Sequence, residues 1–170
     1  MSSSTRLIGK QPKDSAVQMT EIVLPSHTNA LGTIFGGQVV AWMDIAGAIC
    51  ASRHSRMSCV TASIDALHFL NKIHVGQVVI ILANLNYAHK TSMEVGIRVE
   101  AEDPKTGDKT HTASGYFTYV AIDETGKARP VPPVVPETTQ EKEWYEEAQV
   151  RRAARLELAN KLKKEHEDSK

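Results

Sequence analysis

The chain has 170 residues, of which 41% are hydrophobic, and its 20 basic and 20 acidic side chains leave no net charge. This length fits one compact domain with a substantial core. The balanced charge excludes an overall field that would draw the protein to nucleic acid or to an anionic membrane. Any anionic ligand must therefore be held by local groups.

Two further features predict where the protein works. Residues 1–13 are polar and carry no apolar core of signal-peptide length, and no run reaches 18 consecutive apolar residues. Cys50 and Cys59 lie in apolar segments and form neither a disulfide framework nor a Cys-x-x-Cys pair. We expect a cytoplasmic protein with no membrane insertion, two buried free thiols and a disordered leader over residues 1–15.

The first predicted elements are a strand, a loop and a long helix. Residues 16–24 alternate loosely up to Pro25, which indicates a strand, and a polar, glycine-containing loop follows to Phe35. From Gly36 to Arg53 apolar residues cover nearly every face of a helix. A helix of this kind should be enclosed by other structure.

Four strands should follow this helix, because apolar residues recur at every second position and Asp103 to Asp108 forms a strong turn signal. The fourth of them runs roughly from Thr110 to Ile122. Each of the first three strands after the helix should bury one face. The expected residues are, on the first strand, Val60, Ala62, Ile64, Ala66 and Leu70; on the second strand, Val79, Ile81, Ala83, Leu85 and Tyr87; and on the third strand, Met93, Val95, Ile97 and Val99. The order of elements favours an α+β fold in which an antiparallel sheet wraps around the helix.

Beyond the proline-rich stretch 130–136 the composition changes. Thr138 and Glu141 have the spacing of a capping box, and the helix that follows is acidic early and basic late. Its apolar residues are sparse. We expect residues 133–170 to form a charged, solvated or partner-facing helix and tail that becomes disordered after about Lys163.

Asp44 is the only Asp, Glu, Lys or Arg in the 31 residues from Ile22 to Ser52. A charge in such apolar surroundings must be paired, neutralised or used. It follows Gly36 and Gly37 by about two helical turns, or roughly 11 Å along the axis. If the carboxylate and the glycines cooperate, the second set of groups should come from another subunit. The alternative is a buried carboxylate hydrogen-bonded to strand backbone.

The glycines and Asn29 are the other candidate groups near the helix start. Free amides at Gly36 and Gly37 would favour a developing oxyanion, an effect worth roughly 3 to 4 kcal/mol per donor in known enzymes. Tight packing of the helix against a strand would explain the same glycines. The Asn29 amide can orient water or bond a carbonyl, or it can support a turn through its own backbone.

Other chemistry finds less support. No histidines have metal-ligand spacing, no Gly-x-Ser-x-Gly elbow is present, and neither cysteine has an evident His partner. The segment from His89 through Lys90 and Thr91 to Ser92 joins two strands with a cation and two hydroxyls, which could hold a phosphate or a pantetheine amide or could be an ordinary turn.

The pattern Asn29-x-x-Gly32-x-x-x-Gly36-Gly37, followed by Met43-Asp44-x-Ala46-Gly47, resembles the acyl-CoA thioesterases of the hotdog superfamily. The resemblance covers residues 17–132 and implies a five-stranded antiparallel sheet curled around the helix. It also implies dimers that share one continuous sheet, commonly assembled as trimers of dimers, and hydrolysis of fatty acyl-CoA at the dimer interface. One departure is Asn71-Lys72, where relatives usually have proline.

The resemblance matches Asn29 and Asp44, contributed by opposite chains, to the functional residues of the family. We expect Asp44 to act as a general base on water, or as a nucleophile that forms a mixed anhydride, while Asn29 positions the water or the thioester. Gly36 and Gly37 would polarise the carbonyl, with no metal or organic cofactor. The predicted contacts to the CoA portion are Thr61, Lys90, Thr91 and Ser92.

Two other functions remain open at this point. A hydroxyacyl dehydratase on the same fold would need a histidine beside an acidic residue of the helix. The predicted helix contains Asp44, but it contains no histidine before His54. A non-catalytic acyl-CoA binding module would bind CoA without hydrolysis. Release of free thiol from an acyl-CoA distinguishes an enzyme from such a module.

Overall fold

Five antiparallel strands and two long helices make up the fold. The computed structural model describes residues 7–167, except the side chain of residue 166. The elements are β1 (Val17–Ile22), α1 (Gly36–Ser55), β2 (Ser58–Phe69), β3 (Val78–His89), β4 (Ser92–Glu102), β5 (Lys109–Ile122) and α2 (Thr139–Glu167). The strands form one sheet in the order β1-β3-β4-β5-β2. This is the predicted α+β hotdog architecture, with the sheet around α1.

The core lies between α1 and the inner face of the sheet. The inward side chains of β3 and β4 are almost fully buried and pack with Met43, Ala46 and Cys50 of α1. Burial of one such aliphatic side chain stabilises the fold by roughly 1.5 to 3 kcal/mol. The prediction is therefore confirmed for Val79, Ile81, Ala83 and Leu85 on β3 and for Met93, Val95, Ile97 and Val99 on β4.

Tyr87 does not share the buried face predicted for β3. A bulge between Leu85 and Tyr87 shifts the register, so that Tyr87 pairs with Glu94. An extra residue in a strand reverses the direction of the side chains that follow it. The ring of Tyr87 consequently lies on the outer face of the sheet, where it meets Tyr145 of α2 edge to face.

The single buried face predicted for β2 is wrong. Two bulges interrupt this edge strand, between Thr61 and Ser63 and between Asp65 and His68. Val60 pairs with Val120, whereas Ile64 pairs with the inward Phe117, so the two residues belong to opposite faces. Both remain exposed, at 45% and 43%.

The chain itself encloses α1 only in part. Ile45 and Ile49 of α1 are 51% and 39% exposed, whereas Met43 and Ala46 are fully buried. The expectation of an enclosed helix therefore fails for one face of α1 within a single chain. Ile64 on the edge strand β2 is exposed as well, at 43%.

The segment around Lys10, expected to belong to a disordered leader, is ordered. Its amide donates to the carbonyl of Pro133 at 3.0 Å, and the amide of Val135 donates to the carbonyl of Lys10 at 2.9 Å. A short 3-10 turn follows at Pro12–Asp14. Backbone pairing with the proline-rich stretch thus orders residues 7–15, while residues 1–6 lie outside the described part of the chain.

Helix α2 packs on the outer face of the sheet through charged groups. The capping box is confirmed. The Thr138 amide donates to the Glu141 carboxylate, and the Glu141 amide donates to the Thr138 hydroxyl. Farther along α2, the Arg151 guanidinium bonds Glu94 at 2.7 Å and lies 3.5 Å over the ring of Tyr116. Arg155 forms an ion pair with Asp65 of β2. The helix continues to Glu167, past the predicted start of disorder near Lys163.

Replacing Glu94 with glutamine should weaken the contact of α2 with the sheet. The Glu94 side chain is only 4% exposed, so the substitution leaves Arg151 without a buried counter-charge, and breaking such a pair destabilises proteins by about 3 to 5 kcal/mol. Urea unfolding at fixed protein concentration measures the change. The control is Glu147→Gln, which removes a 58% exposed partner of the same arginine and should change stability by about 0.5 kcal/mol or less. Equal losses in the two variants would contradict the assignment.

Candidate active site

Asp44 lies in the middle of α1 and accepts hydrogen bonds from two strand side chains. The Thr61 hydroxyl donates to its Oδ1 at 2.6 Å. The Tyr119 hydroxyl is 3.1 Å from the same oxygen and 3.0 Å from the backbone carbonyl of Asp44. Within residues 7–167, Oδ2 accepts no hydrogen bond. The half-buried carboxylate is therefore oriented by hydroxyl groups, and one of its oxygens stays available for chemistry.

Tyr119 is the site residue that the sequence analysis did not assign. It is fully buried, and burial, followed by the nearby charge of Asp44, raises the pKa of its hydroxyl above the ordinary value. Two signals in the sequence could have revealed it. The phenol stands on the inward face of β5 between Phe117 and Ala121, where a polar group needs a partner. Gly47 stands where any side chain would overlap the Tyr119 hydroxyl.

The first turn of α1 presents free amides. Phe35 caps the helix without a side-chain bond, and its carbonyl accepts from the amides of Gln38 and Val39. The amides of Gly36 and Gly37 have no hydrogen-bond partner among residues 7–167. Such amides, at the positive end of the helix dipole, can stabilise a carbonyl oxygen that gains negative charge.

A cavity of about 310 Å³ adjoins Gly36. Its walls are largely apolar, and the ring of Phe69 closes to 3.5 Å of the position that a side chain of Gly36 would occupy. The cavity can therefore hold an apolar group next to a polarised carbonyl. Its lining residues are Thr33, Ile34, Gly36, Val39, Phe69, Leu70, Asn71, Lys72 and Ile73.

Asn29 supports its own loop within the chain. Its Nδ2 donates to Thr33 Oγ1 at 3.1 Å, and its Oδ1 accepts from the amide of Leu31 at 2.9 Å. Gly32 completes the turn with a positive φ of 71°, which glycine adopts without strain. The side chain is exposed and makes no contact with Asp44 in the described part of the chain. Its catalytic role remains a prediction.

The predicted CoA contacts are divided between two places. Thr61 bonds Asp44 directly. Lys90, with a φ of 50°, and Thr91 form the tight turn between β3 and β4. Because Ser92 pairs with Val120, it lies at the same end of the sheet as Thr61 but about 10 Å away, two strands apart, and on the outer face.

The separation predicted between Asp44 and the glycines is present. Helix α1 runs without a break from Gly36 to Ser55, so Asp44 stays roughly 11 Å from the free amides. One chain therefore does not bring its carboxylate, its free amides and Asn29 to a common point. Within residues 7–167 there is also no group of three or more His, Cys, Asp or Glu side chains arranged to hold a metal ion.

The two thiols differ in their surroundings. Burial raises the pKa of Cys50 to about 12. Cys59 is half-buried rather than buried as expected, and its sulfur lies 3.3 Å from the Ser55 hydroxyl. Both are free. Among residues 7–167, no helix is long and apolar enough to cross a membrane.

Comparisons with known proteins identify the family. A sequence profile described as "Thioesterase superfamily" matches residues 31–107. The chain is 40% identical over 129 residues to YkhA of Bacillus subtilis, an uncharacterized acyl-CoA thioester hydrolase, and the match covers 76% of this chain and 75% of YkhA. The chain belongs to the thioesterase superfamily. The thioesterase class of enzyme predicted from the sequence is thereby confirmed.

Two mouse relatives of this thioesterase are longer proteins. Acyl-coenzyme A thioesterase 11 is 41% identical over 147 residues, which cover 86% of this chain and 25% of that protein. The cytosolic acyl coenzyme A thioester hydrolase is 37% identical over 140 residues, which cover 81% of this chain and 36% of that protein. The thioesterase thus spans about a quarter to a third of the length of these two relatives.

Solved structures resemble the thioesterase closely. A hexameric acyl-CoA thioesterase in its apo form gives a TM-score of 0.87 at 40% identity, with coverage of 90% of this chain and 98% of that one. A second structure is an acyl-CoA hydrolase from Staphylococcus aureus in complex with butyryl coenzyme A, coenzyme A and coenzyme A disulfide. It gives a TM-score of 0.81 at 34% identity, with coverage of 91% of this chain and 96% of that one. That hydrolase was also solved with an aspartate, an asparagine or a threonine replaced by alanine.

Thiol labelling at pH 8 should leave Cys50 of the thioesterase unmodified in the native protein. With a pKa of about 12, its thiolate fraction is far too small to react at this pH, and the fraction grows only as the pH approaches that value. In the variant Cys59→Ser, a disulfide reagent should find no thiol until denaturant is added, and then one per chain. Cys50→Ser serves as the control. Rapid native labelling of Cys59→Ser would contradict the burial of Cys50.

Proposed function

We propose that the thioesterase hydrolyses acyl-CoA thioesters to free fatty acid and CoA, with Asp44 as the general base that activates water. The observation that carries this proposal is the geometry of the carboxylate. Two hydroxyls hold Oδ1, while Oδ2 is left without a partner in the described residues. A fixed carboxylate with one free oxygen can accept a proton from water.

The thioester itself makes this chemistry feasible without a catalytic histidine. A thiolate leaves readily and needs little proton donation, so a base and a polarised carbonyl are sufficient. Attack by Asp44 itself, through a mixed anhydride, would use the same free oxygen and stays the alternative route. Neither route requires a metal or an organic cofactor.

We propose that the carbonyl is polarised by the amides of Gly36 and Gly37 from the opposite chain, together with Asn29. Asp44 is roughly 11 Å from the amides of its own helix, which is too far for both to act on one carbonyl. Ile45 and Ile49 of α1 provide an exposed apolar surface, and the outer edge of β2, which pairs with no strand among residues 7–167, provides a strand edge for a second copy.

Relatives support this assembly and this choice of residues. One related structure is a hexamer, so we propose a dimer as the active unit and a trimer of dimers as the whole. In the Staphylococcus aureus hydrolase, the substituted asparagine, aspartate and threonine have the same two intervals along the chain as Asn29, Asp44 and Thr61 here. We also propose a cytoplasmic location, because one mouse relative is named as cytosolic.

For the CoA portion we propose contacts at the turn between β3 and β4. Lys90 is exposed and has no ion-pair partner within residues 7–167, so its ammonium group can meet a phosphate. Thr91 and Ser92 can supply hydroxyls there. Thr61 was predicted to join these contacts, but its hydroxyl already donates to Asp44, and this bond favours a role in orienting the base.

No observation favours a hydroxyacyl dehydratase. The only histidine of α1 is His54, near the end of the helix, and it is fully buried. Its Nε2 lies 2.8 Å from the carbonyl oxygen of Pro132. This contact attaches the helix to the proline-rich stretch, remote from Asp44, so His54 is not placed to act with that carboxylate.

Replacing Asp44 with asparagine should lower kcat by roughly 100- to 10,000-fold, the usual contribution of a general base. Release of free thiol from an acyl-CoA panel, from acetyl to palmitoyl, measures the rate and the chain-length preference together. Asp108→Asn, in an exposed turn between β4 and β5, is the matched control and should keep full activity. Wild-type turnover by Asp44→Asn at unchanged oligomer size would exclude Asp44 as the base.

Mixing two inactive variants tests whether one site uses two chains. In a dimer of one Asn29→Ala chain and one Asp44→Ala chain, one site has both defects and the other has none. Random pairing after co-refolding should therefore restore about a quarter of wild-type activity. The parent variants refolded alone are the controls. A mixture no more active than its parents, in which an affinity tag on one variant co-purifies the untagged other, would place both residues in one chain's site.

A further inference from the structure

We propose that Tyr119 is a positioning residue for Asp44: its hydroxyl holds the carboxylate in the orientation that keeps Oδ2 free for the reacting water. This inference rests on the proposed role of Asp44 as the base. It assigns to Tyr119 no contact with the substrate. It concerns only the orientation of the carboxylate.

The ring of Tyr119 is rigidly held. It lies on the inner face of β5, between the pairing partners Thr61 of β2 and Met93 of β4. The side chain is fully buried and stacks against Phe117, with ring centroids 6.5 Å apart. A ring packed in this way has few alternative rotamers, so its hydroxyl is a fixed point in the core.

Gly47 allows this hydroxyl to reach the helix. A Cβ at position 47 would overlap the hydroxyl oxygen and approach two ring carbons to 2.9 Å. Glycine in the middle of a helix destabilises it by roughly 0.5 to 1 kcal/mol relative to alanine. The close approach of Tyr119 gives a physical reason for a glycine one turn after Asp44.

The hydroxyl contacts the side chain and the backbone of Asp44 at once. It lies 3.1 Å from Oδ1 and 3.0 Å from the backbone carbonyl oxygen, and its single proton is shared between these two acceptors. The carbonyl belongs to the helix and cannot move independently. Because Oδ1 is held on the same side as this carbonyl, the carboxylate cannot rotate freely, and its other oxygen is the one left without a partner among residues 7–167.

Thr61 alone is a weaker constraint. Its hydroxyl makes the shorter bond to Oδ1, at 2.6 Å, but Thr61 is exposed and lies beside a bulge on the edge strand β2. Tyr119 comes from a central strand and is buried. The raised pKa of its hydroxyl, caused mainly by burial, keeps it protonated and therefore a donor at any working pH.

The decisive variant is Tyr119→Phe, which keeps the ring and removes the hydroxyl. We expect kcat to fall by about 10- to 100-fold, the range that follows when a reacting group is misplaced by about 1 Å. KM should change less than about twofold, because substrate binding is not altered.

The control is Tyr145→Phe, which removes a hydroxyl from the outer face and should leave kcat and KM unchanged. A double-mutant cycle with Thr61→Val adds a second readout. Because both hydroxyls hold the same oxygen, we expect the double variant to lose less than the product of the two single losses, and losses that simply multiply would contradict a shared positioning role. Circular dichroism and oligomer size report whether each variant is folded.

The outcomes separate this inference from the proposed function. Wild-type kcat in Tyr119→Phe, with Asp44→Asn inactive, would overturn the positioning role and leave Asp44 as the base. A loss confined to thermal stability, with kcat unchanged, would equally overturn it. Full activity of Asp44→Asn would instead overturn the proposed function, and the inference with it.

Discussion

The structure depends on one carboxylate that an apolar helix carries into the concave side of a sheet. A half-buried Asp44 is tolerable only because hydroxyls from two neighbouring strands, on Thr61 and Tyr119, donate to it. These bonds also hold α1 in register with β5 and β2. The same contacts that make the charge stable leave one oxygen unpartnered within the described residues, so the packing of the core and the proposed chemistry share their key residues.

A second constraint is the surface that the chain leaves uncovered. Ile45 and Ile49 on α1 are exposed, and so is Ile64 on the bulged edge strand β2. A carboxylate in mid-helix and free amides at the helix start, roughly 11 Å apart, cannot act together within one chain. The apolar surface and the divided site therefore favour the same proposal, a second copy that covers this face and completes the site.

The outer face of the sheet follows a different principle. There α2 is attached by the Arg151–Glu94 ion pair, by the stacking of Arg151 over Tyr116 and by the edge-to-face contact of Tyr145 with Tyr87. A buried ion pair of this kind adds little net stability, but it favours one arrangement of the helix on the sheet. Replacing either partner leaves an uncompensated charge. The turn around Lys90 lies at the end of β3 and β4, where Ser92 borders a small pocket with Arg152 of α2 and Lys90 itself is exposed for the proposed CoA contacts.

Local patterns in the sequence determined the order of elements, the buried faces of β3 and β4, the capping box at Thr138 and the prominence of Asp44. These features depend on periodicity and composition, which act over a few residues. The bulges of β2, which place Val60 and Ile64 on opposite faces, and the pairing of residues 7–15 with the proline-rich stretch were decided by tertiary structure. Strand register and contacts between distant segments leave no local signal. The partnership of Tyr119 with Asp44 is of the same kind, because 75 residues separate them and only the folded sheet brings the phenol to the helix.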